Sequence, residues 1–129
     1  MKTMRVMLAV LLGVPFVFAA TQENSTTTVD WAKAEQNYKE CLKSDNPGVK
    51  ISAAINIHKY NLTGAVDELK SLLSKENGEN VKMSGALALL TTCGNEGRVA
   101  IENALETEEN EIVAEFYRSI LNNQAISQN

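Results

Sequence analysis

The sequence predicts an all-α protein of about six helices that are paired antiparallel to one another. Apolar residues recur at the spacing of one helix face, either i, i+4, i+7 and i+8 or i, i+3, i+4 and i+7. These two patterns alternate along the chain and each returns after 30 to 32 residues, a period typical of helical repeats. Beyond residue 28 the chain is rich in Ala, Leu, Glu and Lys and has one proline, which also favours helix.

Each pattern occurs three times and defines one face of three helices. The first comprises Ala34, Tyr38, Cys41 and Leu42, then Ala65, Leu69, Leu72 and Leu73, then Gly97, Ile101, Ala104 and Leu105. The second comprises Ile51, Ala54, Ile55 and His58, then Met83, Ala86, Leu87 and Leu90, then Val113, Phe116, Tyr117 and Ile120. Their alternation predicts helices near 29–43, 48–61, 64–74, 81–93, 97–106 and 111–124. We expect both patterns to be buried, so that Leu72→Ala or Leu87→Ala would cost about 2–5 kcal/mol.

Three asparagines support the starts of the second-pattern helices. Asn46, Asn80 and Asn110 each precede one of them, where an Asn side chain accepts hydrogen bonds from free N–H groups of the first turn. Pro47 follows Asn46 at a position where its missing N–H costs nothing. The connections between the predicted helices are short, as antiparallel neighbours require.

The second-pattern helices resemble those of compact HEAT repeats. Val49-Lys50 and Val81-Lys82 open two of them, Ala53-Ala54 and Gly85-Ala86 follow, and Leu90, Gly94 and Asn95 end the middle unit. HEAT units have a Val-Arg pair, alanines, and a Leu followed by a Gly-Asp turn at these places. The resemblance implies that residues 29–126 form helix pairs stacked as a short right-handed α-solenoid, with a tail at 127–129. Tetratricopeptide repeats are the alternative, indicated by the spacing of Trp31 and Tyr38.

The N-terminus has the pattern of a secretory signal peptide. Lys2 and Arg5 precede an apolar run at 6–18, and the small residues Ala19 and Ala20 follow it. The run is shorter than the ~20 residues that span a bilayer, so we expect cleavage after Ala20 and no stable membrane insertion. No cysteine stands at the cleavage site for lipid attachment.

These features predict the organisation and location of the protein. A signal peptide at 1–20 and a flexible polar leader at 21–28 would precede the helical domain. The protein would therefore be secreted or periplasmic.

The composition argues against several classes of function. The net charge is −4, and clustered Lys and Arg for binding nucleic-acid phosphates are lacking. The single histidine, His58, has no second imidazole with which to form a metal site, and no serine has a G-x-S-x-G motif around it. We therefore expect no enzymatic activity, no metal and no cofactor, and we expect His58 to be a half-buried packing residue.

The two cysteines are expected to be unpaired. Cys41 lies near the end of a first-pattern helix, and Cys93 near the end of a second-pattern helix that runs the opposite way. A helix of about 12 residues is ~18 Å long, whereas a disulfide needs Cα atoms within ~7 Å. The two thiols would therefore lie at opposite edges of the stack, although an oxidising compartment would permit a disulfide.

We expect the protein to bind another protein through the surface of the first-pattern helices, because helical repeats present extended surfaces of this kind. The charged residues predicted to be exposed there are Glu35, Lys39, Glu68, Lys70, Glu102 and Glu106. An acidic run surrounds the last connection and comprises Glu102, Glu106, Glu108, Glu109, Glu111 and Glu115. We interpret the run as a solvated face, with a docking patch for a basic segment as the alternative.

Other functions remain open from the sequence alone. The chain could be a small helical carrier of an apolar ligand, or a non-catalytic subunit of an envelope complex. An enzyme resembling the bilin-lyase relatives of short HEAT repeats is a further alternative, without a visible catalytic set. Sequons at Asn24 and Asn61 would carry glycans only in a eukaryotic secretory pathway.

Overall fold

The computed structural model describes residues 27–127, with side chains described as far as residue 124. Six α-helices and no strand occur in this part of the chain, which confirms the predicted all-α class. The helices are α1 (Trp31–Leu42), α2 (Pro47–Lys59), α3 (Val66–Ser71), α4 (Glu79–Thr92), α5 (Gly94–Thr107) and α6 (Glu111–Ser127). None of these helices is long and apolar enough to cross a membrane. The predicted signal peptide, its cleavage site at Ala19 and Ala20, and most of the leader lie outside the described residues.

Side-chain caps begin α1, α2 and α6. Asn46 Oδ1 accepts hydrogen bonds from the second and third N–H groups of α2 at 2.9 and 3.4 Å. Asn110 Oδ1 does the same for α6 at 3.0 and 3.3 Å. These two predicted caps are therefore confirmed, and Pro47 occupies the first position of α2. A third cap was not predicted from the sequence. Asp30 Oδ1 accepts a hydrogen bond from the third N–H of α1 at 3.1 Å.

The prediction that Asn80 caps a helix is wrong. Helix α4 begins at Glu79, directly after Gly78, so Asn80 lies inside its first turn. Asn77 helps to set this boundary, because its side-chain amide donates to two carbonyl oxygens at the end of α3, 3.2 and 3.1 Å away. The residues that precede α2, α4 and α6 are consequently spaced 32 apart along the chain, and we call this spacing the 32-residue register.

Helix α4 is the central helix and contacts α2, α3, α5 and α6. Eight of its 14 residues are buried, because apolar side chains surround its axis and each side needs a cover. Two glycines let the neighbouring backbones come close to it. A Cβ at Gly97 of α5 would overlap the carbonyl oxygen of Leu89, and one at Gly85 would lie 2.7 Å from the Cβ of Leu72.

Helices α2, α4 and α6 lie side by side. Near their starts, Lys50 Nζ donates to Asn77 Oδ1 at 2.9 Å, immediately before α4. Near their ends, His58 Nδ1 lies 2.7 Å from Thr91 Oγ1. Because start meets start and end meets end, α2 and α4 run in the same direction. The contact continues to α6, since Asn110 Nδ2 donates to a carboxylate oxygen of the first residue of α4 at 2.7 Å.

The structure corrects the predicted core of the second-pattern helices. Ile55 is 54% exposed, Leu87 is 39% exposed, and His58 is also exposed rather than half-buried. Ile57 and Leu89 are completely buried in their place. Apolar residues occur on nearly every side of α2 and α4, so periodicity does not determine which side faces the core. The packing of α2 between α1 and α4 decides it.

We expect two leucine-to-alanine substitutions to distinguish a buried position from an exposed one. Leu72→Ala should lower the free energy of unfolding by about 2–5 kcal/mol, because Leu72 is buried and its loss leaves a cavity. Leu87→Ala should cost under about 1 kcal/mol, because much of that side chain is already in water. Urea denaturation of the two variants measures both values. Equal losses would contradict the burial of α4 described here.

Candidate functional site

The structure brings four of the predicted interaction residues into contacts between helices. Lys39 of α1 forms an ion pair with Glu68 of α3 at 3.4 Å. Lys70 of α3 pairs with Glu96 of α5 at 2.7 Å. Glu35 of α1 accepts a hydrogen bond from a backbone N–H just before α3 at 3.3 Å. The charges on α1, α3 and α5 therefore link these helices to each other.

The two remaining predicted residues lie further along α5. Glu102 is paired with Arg98, one turn earlier on the same helix, at 2.9 Å. Glu106 lies one turn later and is exposed. The predicted surface is thus divided between a cross-linked part on α1 and α3 and an acidic part on α5.

A groove of about 410 Å³ runs between α3 and α5, and we call it the α3–α5 groove. It is lined by Lys70, Leu73, Ser74, Glu96, Val99, Ala100, Asn103 and Ala104. Val99 is 45% exposed although it is aliphatic, and two alanines beside it leave room for an inserted side chain. The Lys70–Glu96 pair also lines the groove, and its hydrogen bond raises the pKa of Lys70 above the usual value. The groove thus combines apolar side chains with a charge pair.

The interpretation of the acidic run as a solvated face is wrong at Glu108. Its carboxylate oxygens accept hydrogen bonds from Lys82 Nζ at 2.9 and 3.1 Å, and the two side chains are only 5% and 8% exposed. The connection between α5 and α6 turns this residue back onto α4, where the Asn110 N–H also donates to it at 3.0 Å. Glu109 and Glu111 remain exposed, as predicted.

Sequence reasoning missed this buried pair because its members are 26 residues apart. Burial by itself would raise the pKa of the Glu108 carboxyl, but the Asn110 N–H and the Lys82 ammonium hold it below the usual value. Lys82 stands at the place in α4 that Lys50 occupies in α2, and each lysine reaches the connection just before the next second-pattern helix. The recurrence of lysine at this position was the sequence signal that could have indicated the pair.

Tyr117 lies in the same buried region of the fold. Its hydroxyl has no hydrogen-bond partner among the described residues. Burial, and then the negative charge of Glu108, raise the pKa of this phenol, so it stays protonated at neutral pH. Neither Tyr117 nor Lys82 is among the residues that line the five best-formed grooves of the described part of the chain. We therefore assign this charged cluster to the stability of the α4–α6 contact.

The remaining chemically reactive side chains are dispersed. Cys41 and Cys93 are both free and half-buried. Cys41 lines a separate groove between α1 and α2, whereas Cys93 joins α4 to α5. Within residues 27–127 no three His, Cys, Asp or Glu side chains are placed together to hold a metal ion.

Removing one member of the buried pair should be costly. Lys82→Met leaves the Glu108 carboxylate buried without its counter-charge, and we expect the free energy of unfolding to fall by about 3–5 kcal/mol. Arg98→Met is the matched control, because it breaks a pair of the same 2.9 Å length that lies partly in solvent. The control should cost under about 1 kcal/mol. Similar losses in the free energy of unfolding for the two variants, measured by urea denaturation, would contradict the burial of the Lys82–Glu108 pair.

The same pair should make stability depend on pH. Because the pKa of Glu108 is lowered on folding, its contribution is complete above the pKa of an unfolded glutamate, about 4.3. The contribution is lost as the pH falls through the lower folded pKa. Between about pH 5 and pH 3, wild type should therefore lose more stability than Glu108→Gln. Parallel pH profiles for the two proteins, measured by urea denaturation, would contradict this.

The α3–α5 groove combines an exposed aliphatic side chain with a charge pair. A comparison of the chain with known protein families, with curated proteins and with solved structures finds no match. The functional interpretation therefore depends on the residues and geometry of this chain.

Proposed function

We propose that this protein is an exported helical-repeat module that binds a segment of another protein in the α3–α5 groove. The observation that carries the proposal is the exposed aliphatic side chain of Val99 in an open groove that the Lys70–Glu96 pair also lines. Protein interfaces combine apolar contacts with polar groups, and this groove offers both.

The overall arrangement that we propose is a short HEAT-like solenoid of antiparallel helix pairs. The 32-residue register of the helix starts supports it, since a constant spacing is what stacked repeats require. The contacts of α2 with α4, of α4 with α6, and of α1 with α3 also support it, because alternate helices of a stack are neighbours. The α3–α5 groove would then lie on the surface formed by the first-pattern helices.

The proposed location is outside the cytoplasm. Its support is the sequence of residues 1–20, with Lys2 and Arg5 before the apolar run and Ala19 and Ala20 after it. A binding module in such a compartment would meet partners that are exported or anchored in the envelope.

The chemistry of the groove indicates what the bound segment contains. Leu73, Val99 and Ala104 favour an aliphatic or aromatic side chain of the partner. Lys70 and Glu96 would meet polar groups beside that side chain, and Asn103 supplies an amide within the groove. The groove is open along its length, which suits a chain segment better than an enclosed small molecule.

A charge placed in the groove should abolish this binding. Val99→Glu removes the apolar contact, worth about 1.5–3 kcal/mol, so we expect at least a ~10-fold loss of affinity. Ile112→Glu is the matched control, since Ile112 is also an exposed aliphatic residue, 60% exposed against 45% for Val99, and it lies on α6, away from the groove. Both variants and wild type are used as bait against the extracytoplasmic fraction, and retained proteins are quantified by mass spectrometry. A partner retained equally by Val99→Glu and wild type would overturn the assignment of the groove.

A further inference from the structure

The 32-residue register identifies equivalent positions in α2, α4 and α6. Val49, Val81 and Val113 are each three residues after the residue that precedes their helix. Val81 and Val113 are 2% and 0% exposed, whereas Val49 is 37% exposed. Helix α4 has α2 beside it and α6 has α4, but no described helix precedes the α1–α2 pair. Val49 therefore occupies a position that is buried in α4 and α6, but no described helix covers it.

A groove of about 390 Å³ surrounds this valine between α1 and α2. It is lined by Tyr38, Cys41, Asn46, Gly48, Val49, Ser52 and Ala53, and we call these residues the α1–α2 surface. None of the seven is charged, although Asp, Glu, Lys and Arg make up 22% of the chain. Depletion of charge is characteristic of surfaces that become buried in an interface.

The other end of the fold has the opposite character. Arg118 and Asn122 of α6 occupy, in the 32-residue register, the positions of Ala86 and Leu90 of α4. The two α4 residues are buried, whereas the two α6 residues are polar and exposed. A terminal repeat with a polar outer face needs no further partner. The last helix pair therefore presents charged and polar side chains at Arg118 and Asn122, and the first pair has no charged residue at the α1–α2 surface.

Under the proposed export, on which this inference rests, residues 1–20 are removed and the remaining chain offers little to cover the α1–α2 surface. Residues 21–28 would precede the fold, and they read TQENSTTT and contain no apolar residue. Such a segment does not replace the packing that Val81 and Val113 receive from neighbouring helices. The cover must then come from another molecule.

We propose that the α1–α2 surface binds the same surface of a second copy, giving a closed dimer with two-fold symmetry. In a two-fold contact each patch faces itself, so a charged patch would bring like charges together. The absence of charge from the seven residues removes that repulsion. A head-to-tail contact would instead pair this uncharged surface with the end where Arg118 and Asn122 are exposed, and would bury the Arg118 charge against it.

The test compares association at the two ends of the fold. The full-length chain is expressed, the N-terminus of the purified product is determined by mass spectrometry, and the mass in solution is measured from ~1 to ~100 μM by sedimentation equilibrium. Wild type should double its mass across this range. Val49→Glu should weaken association at least ~10-fold, by removing one apolar contact and placing like charges opposite each other. Ile112→Glu and Val99→Glu should both dimerise like wild type.

Cysteine alkylation gives a second measurement on the same samples. Cys41 lies in the α1–α2 surface, so its rate of alkylation should fall as the protein concentration rises, while that of Cys93 stays constant. Ser52→Arg is a second disrupting variant, and circular dichroism checks that each variant keeps its helices. A wild type that stays monomeric, or dimers of Val49→Glu as strong as wild type, would overturn the proposal. Protection of Cys41 that is independent of concentration would do so too, because it would show that the chain covers its own surface.

Discussion

Helix α4 must be covered on almost every side, and the other five helices are arranged around that requirement. Its sequence places apolar residues all around the axis, so that any side left in water would expose them. Four helices contact it directly, and α1 is held through α2 and α3. The close approach at Gly97 and Gly85 follows from the same need, because a larger residue would keep α5 or α3 away from the central backbone. A polar change on α4 would therefore disturb several contacts at once.

Charged residues have two different roles around this core. Lys82 and Glu108 are taken out of water and must remain paired, since an isolated buried charge is strongly unfavourable. Lys39, Glu68, Lys70 and Glu96 form pairs that stay partly in solvent and add little stability. Of these two pairs, Lys70–Glu96 lines the α3–α5 groove, and Lys39–Glu68 links α1 to α3. The buried charge pair thus stabilises the contact of α4 with α6, whereas the partly exposed pairs lie on the surface of α1, α3 and α5.

The two ends and the long side of the fold present three distinct surfaces. The α1–α2 surface is uncharged, the end at α6 is polar, and the α3–α5 groove combines apolar and charged groups. A self-contact at one end would leave the α3–α5 groove free for a different partner.

The sequence by itself determined the features that depend on neighbouring residues. Helical class follows from apolar spacing and composition, and the caps at Asn46 and Asn110 follow from hydrogen bonds that reach only three residues along the chain. Even this local reasoning failed at Asn80, because α4 begins one residue earlier, at Glu79, while Asn77 donates to two carbonyl oxygens at the end of α3. Local signals are reliable where no other segment competes for the same groups.

Only the tertiary structure decided which face of each helix is buried and where the candidate site lies. His58 and Ile57 are adjacent in a helix that is apolar on several sides, and the positions of α1 and α4 select Ile57. Glu108 is drawn inside by a lysine 26 residues away, and the α3–α5 groove exists because two helices distant in sequence stop short of full contact. The physical reason is that burial is set by the neighbours a helix acquires on folding, whereas helix formation depends on residues within one or two turns.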